Sequence, residues 1–315
     1  MEEKKEKNGE LSPYKGLASV LGERTREKDA GLAYSALALV LVVVPFALSV
    51  VLLAAGLTKK GYNRTDWYLY LSYLLTPCVF AVVCFLYFRK TKTPFMKTVA
   101  PCKPKYFLLA IVVQIGLLSL SELNALFITL LSKFGYEQPE ILLPSLEGFG
   151  LVSVLFVVAV LPAVFEELLF RGVLLNGVKG CGKVGACLIC GGLFALYHQS
   201  PVQTVYPFVC GAVFAWVALT SGSVLPTVVS HFLNNAAIII LTKAGYAEIP
   251  SPAKWVVLSV SLVCLICGIV WLFLENKNAE REERTEKKSF LIGAVFGILI
   301  FGASWLLSLL SGFTA

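Results

Sequence analysis

Long apolar runs alternate with short polar segments along nearly the whole chain. Nine of them lie near 34–57, 67–88, 106–132, 150–178, 183–199, 203–220, 223–242, 255–274 and 289–311. Each is set against the about 17–25 residues that a membrane-crossing helix needs. The pattern predicts an all-α fold: a polytopic integral membrane bundle of about eight to nine transmembrane helices. The connections around the fifth to seventh runs are very short, which makes these three the least sharply bounded. An odd number of crossings places the two termini on opposite sides. Residues 1–33 read as a charged tail and 34–311 as the transmembrane domain.

Composition narrows this picture. Hydrophobic residues make up 57% of the chain and charged ones 15%, against about 25% charged in a soluble domain. That deficit excludes a soluble multidomain protein. The opening MEEKKEKNGE is charged, with no apolar core behind it, and does not read as a cleavable signal peptide. In the tail, Leu11, Tyr14, Leu17 and Leu21 share one helical face, which suits a segment lying on the bilayer surface.

The segment Arg89–Lys105 carries six basic residues and no acid, whereas EQPEILLPSLEG (137–148) carries three glutamates and no base. Positive charge concentrates on the cytoplasmic side, so the N-terminus is expected in the cytoplasm. The net charge of +7 then reflects topology and attraction to anionic lipid headgroups. No nucleic-acid partner is expected, because no basic stripe is interleaved with exposed aromatics. Two C-x-x-C pairs, Cys187/Cys190 and Cys264/Cys267, lie in mid-span among Leu, Ile and Val. Buried cysteine behaves as a small hydrophobe, so they read as helix-packing positions.

The candidate chemistry sits in one stretch. The only two histidines, His198 and His231, fall within apolar runs, and a neighbouring run carries Glu166, Glu167 and Arg171 as FEELLFRG. An ionisable residue in hydrocarbon costs roughly 2.5–3.5 kcal/mol on insertion scales and marks a functional site by default. Adjacent helical positions point about 100° apart, so Glu166 and Glu167 cannot both face one cavity squarely. Glu167 and Arg171 stand at i, i+4 with the acid first, the favourable order for an ion pair. This spacing leaves Glu166 free for chemistry, although the two roles could be inverted.

His231 and Asn235 share a face, so Asn235 either orients His231 or donates its amide to an oxyanion. Phe194 shares a face with His198 and would wall the site. At about 1.5 Å per residue, Glu166, His198 and His231 fall at mid-membrane depths within about 10 Å of one another. Glu122, the other acid deep in a run, either lines the same cavity or hydrogen-bonds a neighbouring helix.

Such a set supports water activation. A carboxylate and two imidazoles (Glu166, His198 and His231) make a zinc ligand set with water in the fourth position. Without metal, Glu166 serves as general base, and His198, His231 or Asn235 stabilises the oxyanion. The plainer alternative is polar residues that join helices.

Glu166-Glu167-Leu-Leu-Phe-Arg171, Phe194-Ala-Leu-Tyr-His198 and His231-Phe-Leu-Asn-Asn235 resemble E-E-x-x-x-R, F-x-x-x-H and H-x-x-x-N/D. These are the motifs of the CPBP family, the Abi-type CAAX proteases and bacteriocin-processing intramembrane proteases. The three are complete and in the family's order, and the resemblance covers roughly 150–245. It implies a membrane endopeptidase with Glu166 as the water-activating glutamate and Glu167 and Arg171 as a supporting pair. His198, His231 and Asn235 complete the centre. It implies a membrane-associated protein or peptide as substrate, and either zinc or a metal-free glutamate base. Short loops suit a bacterial plasma membrane. Two other readings stand beside it: a non-catalytic immunity or scaffolding partner with the same fold, and an ion-coupled carrier. No inverted repeat supports the carrier.

Overall fold

The computed structural model describes residues 27–246, 253–275 and 287–314. The surface face read in the tail (Leu11 to Leu21) and the charged connector 276–286 lie outside the described residues. Besides single short turns such as Phe95–Thr98, the described residues form nine longer helices: α1 (Glu27–Ala54), α2 (Asp66–Thr91), α3 (Lys105–Lys133), α4 (Gly150–Cys181), α5 (Lys183–Tyr197), α6 (Val205–Ser221), α7 (Leu225–Lys243), α8 (Ala253–Glu275) and α9 (Lys287–Gly312). No strand occurs among the described residues.

Eight of the nine are long and apolar enough to cross a membrane. The fifth run differs from expectation: α5 has only 15 residues, about 22 Å of helix. Gly182 takes φ 77° at its start, and Gln199 takes φ 54° just past its end. Both left-handed positions stop the helix. The first run also begins earlier than its apolar boundary, because Glu27–Gly31 continues α1 into the tail. Acidic Glu27 and Asp29 in that first turn complement the helix dipole.

The path of the chain follows from the first and last helices. Gly31 packs against the backbone of Phe290 and Ala294, Gly293 against that of Lys28 and Leu32, and Gly297 against Ser35. The Ser35 hydroxyl donates to the Gly293 carbonyl at 2.6 Å and accepts from the Gly297 N–H at 2.9 Å. Rising numbers meet rising numbers, so α1 and α9 run parallel, start beside start. The absence of Cβ at these glycines is what lets the two backbones touch, the usual device for joining helices in lipid.

Polar contacts gather at two levels. At one end Lys90 pairs with Asp29 at 3.0 Å and Lys105 with Glu275 at 2.6 Å. At the other, Arg64 pairs with Glu140, Lys243 with Glu147, and the Glu137 N–H reaches the Gly312 carbonyl at 2.7 Å. Between them, large apolar side chains such as Phe46, Phe85 and Val256 face outward, as a lipid-facing surface requires. The protein is an integral membrane helix bundle.

The core forms around α4, in which every residue from Glu166 to Val178 is buried. This helix is irregular. Leu155–Val160 and Leu168–Leu174 are π-helical and flank the ordinary turns that carry Glu166 and Glu167. Single π-turns recur at functional sites, since each widens the helix and re-aims its side chains. Pro162 explains the first one in part: it has no N–H to give to the Val158 carbonyl four residues back.

Candidate active site

Three helices bring the site together. α4 supplies Glu166, Glu167 and Arg171, the end of α5 supplies Phe194, Tyr197 and His198, and α7 supplies His231 and Asn235. Close approach of α5 and α6 is set by two glycines. A Cβ on Gly211 would stand 2.8 Å from the Gly191 Cα and 3.1 Å from the Phe194 Cβ. This contact presses the α6 backbone toward the site.

Arg171 is fully buried, as is Glu167. Arg171 Nη1 donates to Glu167 Oε1 at 2.7 Å, and Nη2 donates to the Gly211 carbonyl at 3.1 Å. Its guanidinium also stacks near Phe194 and Phe214, 4.8 and 5.3 Å from the ring centroids. The i, i+4 pairing expected from the spacing is present. A buried charge pair returns its desolvation cost only when its geometry and further hydrogen bonds are good, and the aromatic faces add cation–π attraction.

Glu167 has a second partner. His231 Nδ1 stands 2.9 Å from Glu167 Oε1. An ionised carboxylate only accepts, so Nδ1 carries the proton and Nε2 is left facing Glu166. His231 Nε2 and Glu166 Oε2 are 3.9 Å apart. The orienting partner of His231 is therefore Glu167, not Asn235. Asn235 Nδ2 instead donates to the Val158 carbonyl at 3.3 Å, the carbonyl that Pro162 leaves without an i+4 donor. Asn234 links onward, donating to Asn235 Oδ1 and accepting from Gln114 Nε2 and the Tyr206 hydroxyl at 3.0 Å each.

Glu166 is buried, and its Oε1 accepts from the Tyr197 hydroxyl at 2.8 Å. Sequence reasoning missed Tyr197, although it lies inside the FALYH segment beside His198. Its signal was a hydroxyl one residue from an intramembrane histidine. Missed too were Gln114, Tyr206 and Asn234, which carry no charge and share no helix face with His198 or Glu166 that spacing alone would single out.

His198 is partly buried at the end of α5. Its Nδ1 is 2.8 Å from the Phe194 carbonyl. A carbonyl cannot donate, so Nδ1–H donates and the neutral ring presents Nε2 as an acceptor. The Phe194 ring stands edge-on to both imidazoles, 4.8 Å from His198 and 5.8 Å from His231. Gln199, next in the chain, holds a left-handed conformation. That costs a non-glycine residue roughly 1–2 kcal/mol and is concentrated near functional sites.

Glu122 does not join this group. Its carboxylate is 44% exposed and pairs with Lys254 at 3.0 Å. It lies 17 residues along α3, near the end where α8 begins, and is neutralised there rather than in the cavity. Of the expected zinc set, Glu166 and His231 approach each other. Among the described residues, however, no group of three His, Cys, Asp or Glu stands as a metal site. In this arrangement the residues do not fit a three-ligand zinc centre.

Residues 148–237 match the family model of Rce1-like type II CAAX prenyl endopeptidases. No curated protein and no solved structure gives a match to the chain. The matched segment holds all of Glu166, Glu167, Arg171, Phe194, His198, His231 and Asn235, and leaves out Glu122 and the helices α1, α2, α3, α8 and α9. By this match the chain carries, at residues 148–237, an Rce1-like type II CAAX prenyl endopeptidase segment, consistent with the CPBP/CAAX protease family, and the match supports a membrane protease.

Proposed function

We infer that the protein is an intramembrane endopeptidase that hydrolyses a peptide bond of a membrane-associated protein or peptide through a water activated by Glu166. The observation that carries this reading is the 3.9 Å separation of Glu166 Oε2 and His231 Nε2. A water at about 2.8 Å from each atom fits that gap, within ordinary hydrogen-bond range. Both atoms accept, so the water gives them its two hydrogens and turns its lone pairs toward the substrate carbonyl.

The steps then balance. The water oxygen bonds to the carbonyl carbon while Glu166 takes a proton. The tetrahedral adduct collapses with scission of the C–N bond, and Glu166 returns the proton to the leaving nitrogen. Tyr197 holds the Glu166 carboxylate in place through Oε1. Glu167 fixes the tautomer of His231 and Arg171 balances the charge of Glu167. Asn235 has a second amide hydrogen beyond the one on Val158, and that hydrogen is the candidate donor to the oxyanion. Zinc would supply Lewis acidity at Glu166, His198 and His231 if those side chains closed on it, and no step here is routed through it.

The test is single-turnover cleavage of a membrane-delivered peptide library by wild type and Glu166→Gln, with and without a zinc chelator. Loss in Glu166→Gln by at least about 10³-fold is expected, in the range of a removed general base. Loss in the mutant with resistance to chelator favours the glutamate base, whereas loss under chelator favours the metal. Wild-type cleavage by Glu166→Gln, folded and inserted, overturns the assignment of Glu166, whereas no cleavage by the wild type favours the non-catalytic membrane partner.

A further inference from the structure

A cleft of about 350 Å³ opens between α1 and α2 and ends on the site. Its floor is Tyr197 and His198, with Gln199 and Gln203 beside them. Tyr197 is the side chain that bonds Glu166, so one aromatic ring separates the cleft from the reactive carboxylate. Both α1 and α2 lie outside the segment matched to the endopeptidase family.

The lining has a definite chemistry. From α1 come Leu41, Pro45, Leu48 and Ser49; from α2 come Tyr68, Ser72, Leu75 and Thr76. None is charged, and apolar side chains alternate with hydroxyls. Pro45 lies inside α1 and has no N–H for the Leu41 carbonyl four residues back. Leu41 and Pro45 both line the cleft, which puts a backbone acceptor without its usual i+4 donor on that wall. An extended peptide offers N–H groups to such acceptors and carbonyls to the Ser72 and Thr76 hydroxyls, the Ser49 hydroxyl already donating to the Pro45 carbonyl at 2.9 Å.

The cleft also has a direction. Leu48 and Ser49 stand near the C-terminal end of α1, and Tyr68 and Ser72 near the N-terminal end of α2. Its end away from Tyr197 is thus the one nearer the 55–65 loop, on the face opposite the basic Arg89–Lys105 segment.

We propose that the α1–α2 cleft admits the substrate as an extended, uncharged peptide segment from the face of the 55–65 loop and delivers its scissile bond past Tyr197 to Glu166. The proposal rests on the endopeptidase reading for what happens at Glu166, but not for binding. The segment that reaches the site would be free of Asp, Glu, Lys and Arg, since the walls hold no charge to pair with them.

The test separates the two. A photo-crosslinking amino acid replaces Ser72 or Thr76 in the Glu166→Gln protein, and Phe85, which faces outward on the same helix, serves as control. The probe is a biotinylated membrane-delivered peptide with six uncharged central residues; a second peptide carries Lys and Asp there. Capture at 72 and 76, absent at 85 and at least tenfold weaker for the charged peptide, supports the cleft. Equal capture at 85, or none at 72 and 76, overturns it, whether or not the wild type cleaves. Ser72→Trp, which narrows the cleft and leaves Glu166 and His231 in place, should raise KM at least tenfold in a cleaving wild-type background. Unchanged KM there overturns the cleft while leaving Glu166 chemistry standing.

Discussion

At the scale of single residues, the site divides its two adjacent glutamates by their partners. Glu167 takes a cation and an imidazole, whereas Glu166 takes one hydroxyl and keeps Oε2 facing His231. The hydroxyl of Tyr197 is therefore a positioning group for the reacting carboxylate. A hydrogen bond to a charged acceptor contributes about 1.5–3 kcal/mol. Tyr197→Phe keeps the ring among Phe80, Phe170 and Phe194 and removes only that bond. The expected outcome is a kcat lower by about 10–100-fold with KM nearly constant, measured on a membrane-delivered peptide. A changed KM at constant kcat would instead mark Tyr197 as part of the cleft wall.

Helix spacing made part of this arrangement legible. Glu167 and Arg171 at i, i+4 form the expected pair, and Glu166 is the freer acid. The pairing of His231 with Glu167 joins α7 to α4 across 64 positions of sequence, and no local pattern encodes such a contact. The shared helix face of His231 and Asn235 leaves open whether Asn235 orients that ring or serves an oxyanion. The deciding fact lay on α4, where Pro162 exposes a carbonyl.

At the scale of elements, that proline joins helix irregularity to the site. Pro162 leaves the Val158 carbonyl without its usual donor, a π-helical stretch precedes it, and Asn235 from α7 donates to that carbonyl. Pro162→Ala restores a donor four residues along, and a helix-interior proline costs about 3 kcal/mol. The variant should unfold at a higher temperature in detergent while its cleavage rate falls at least tenfold, because Asn235 loses its anchor. Thermal unfolding and kcat, measured on the same preparation, check both halves. A gain in stability with full activity would show that the Asn235–Val158 contact is only structural. The apolar runs located nine elements. The fifth run, 183–199, starts where the helix starts and overshoots it by two residues: α5 ends at Tyr197, ahead of the positive φ of Gln199, and hydropathy does not register φ.

At the scale of the whole molecule, the parallel contact of α1 and α9 decides a question that span counting leaves open. Eight helices meet the length for crossing and α5 falls short, so counting alone would put both termini on one side. With α1 and α9 parallel, however, residues 28 and 293 lie at one level and Gly312 at the other, beside Glu137. The chain between them must cross an odd number of times, so short α5 carries it across. Lys92 belongs to the basic end, while Asn63 and Thr314 belong to the opposite one. We propose, from the tendency of positive charge to stay inside, that the basic end is the cytoplasmic one. Cysteines placed at Asn63, Lys92 and Thr314, all exposed, should then divide cleanly under a membrane-impermeant maleimide. On intact cells Asn63→Cys and Thr314→Cys label and Lys92→Cys does not, until the membrane is opened. The reverse pattern would invert the orientation and bring the 55–65 end of the α1–α2 cleft to the cytoplasm. Labelling of Asn63→Cys without Thr314→Cys would break the parallel pairing itself.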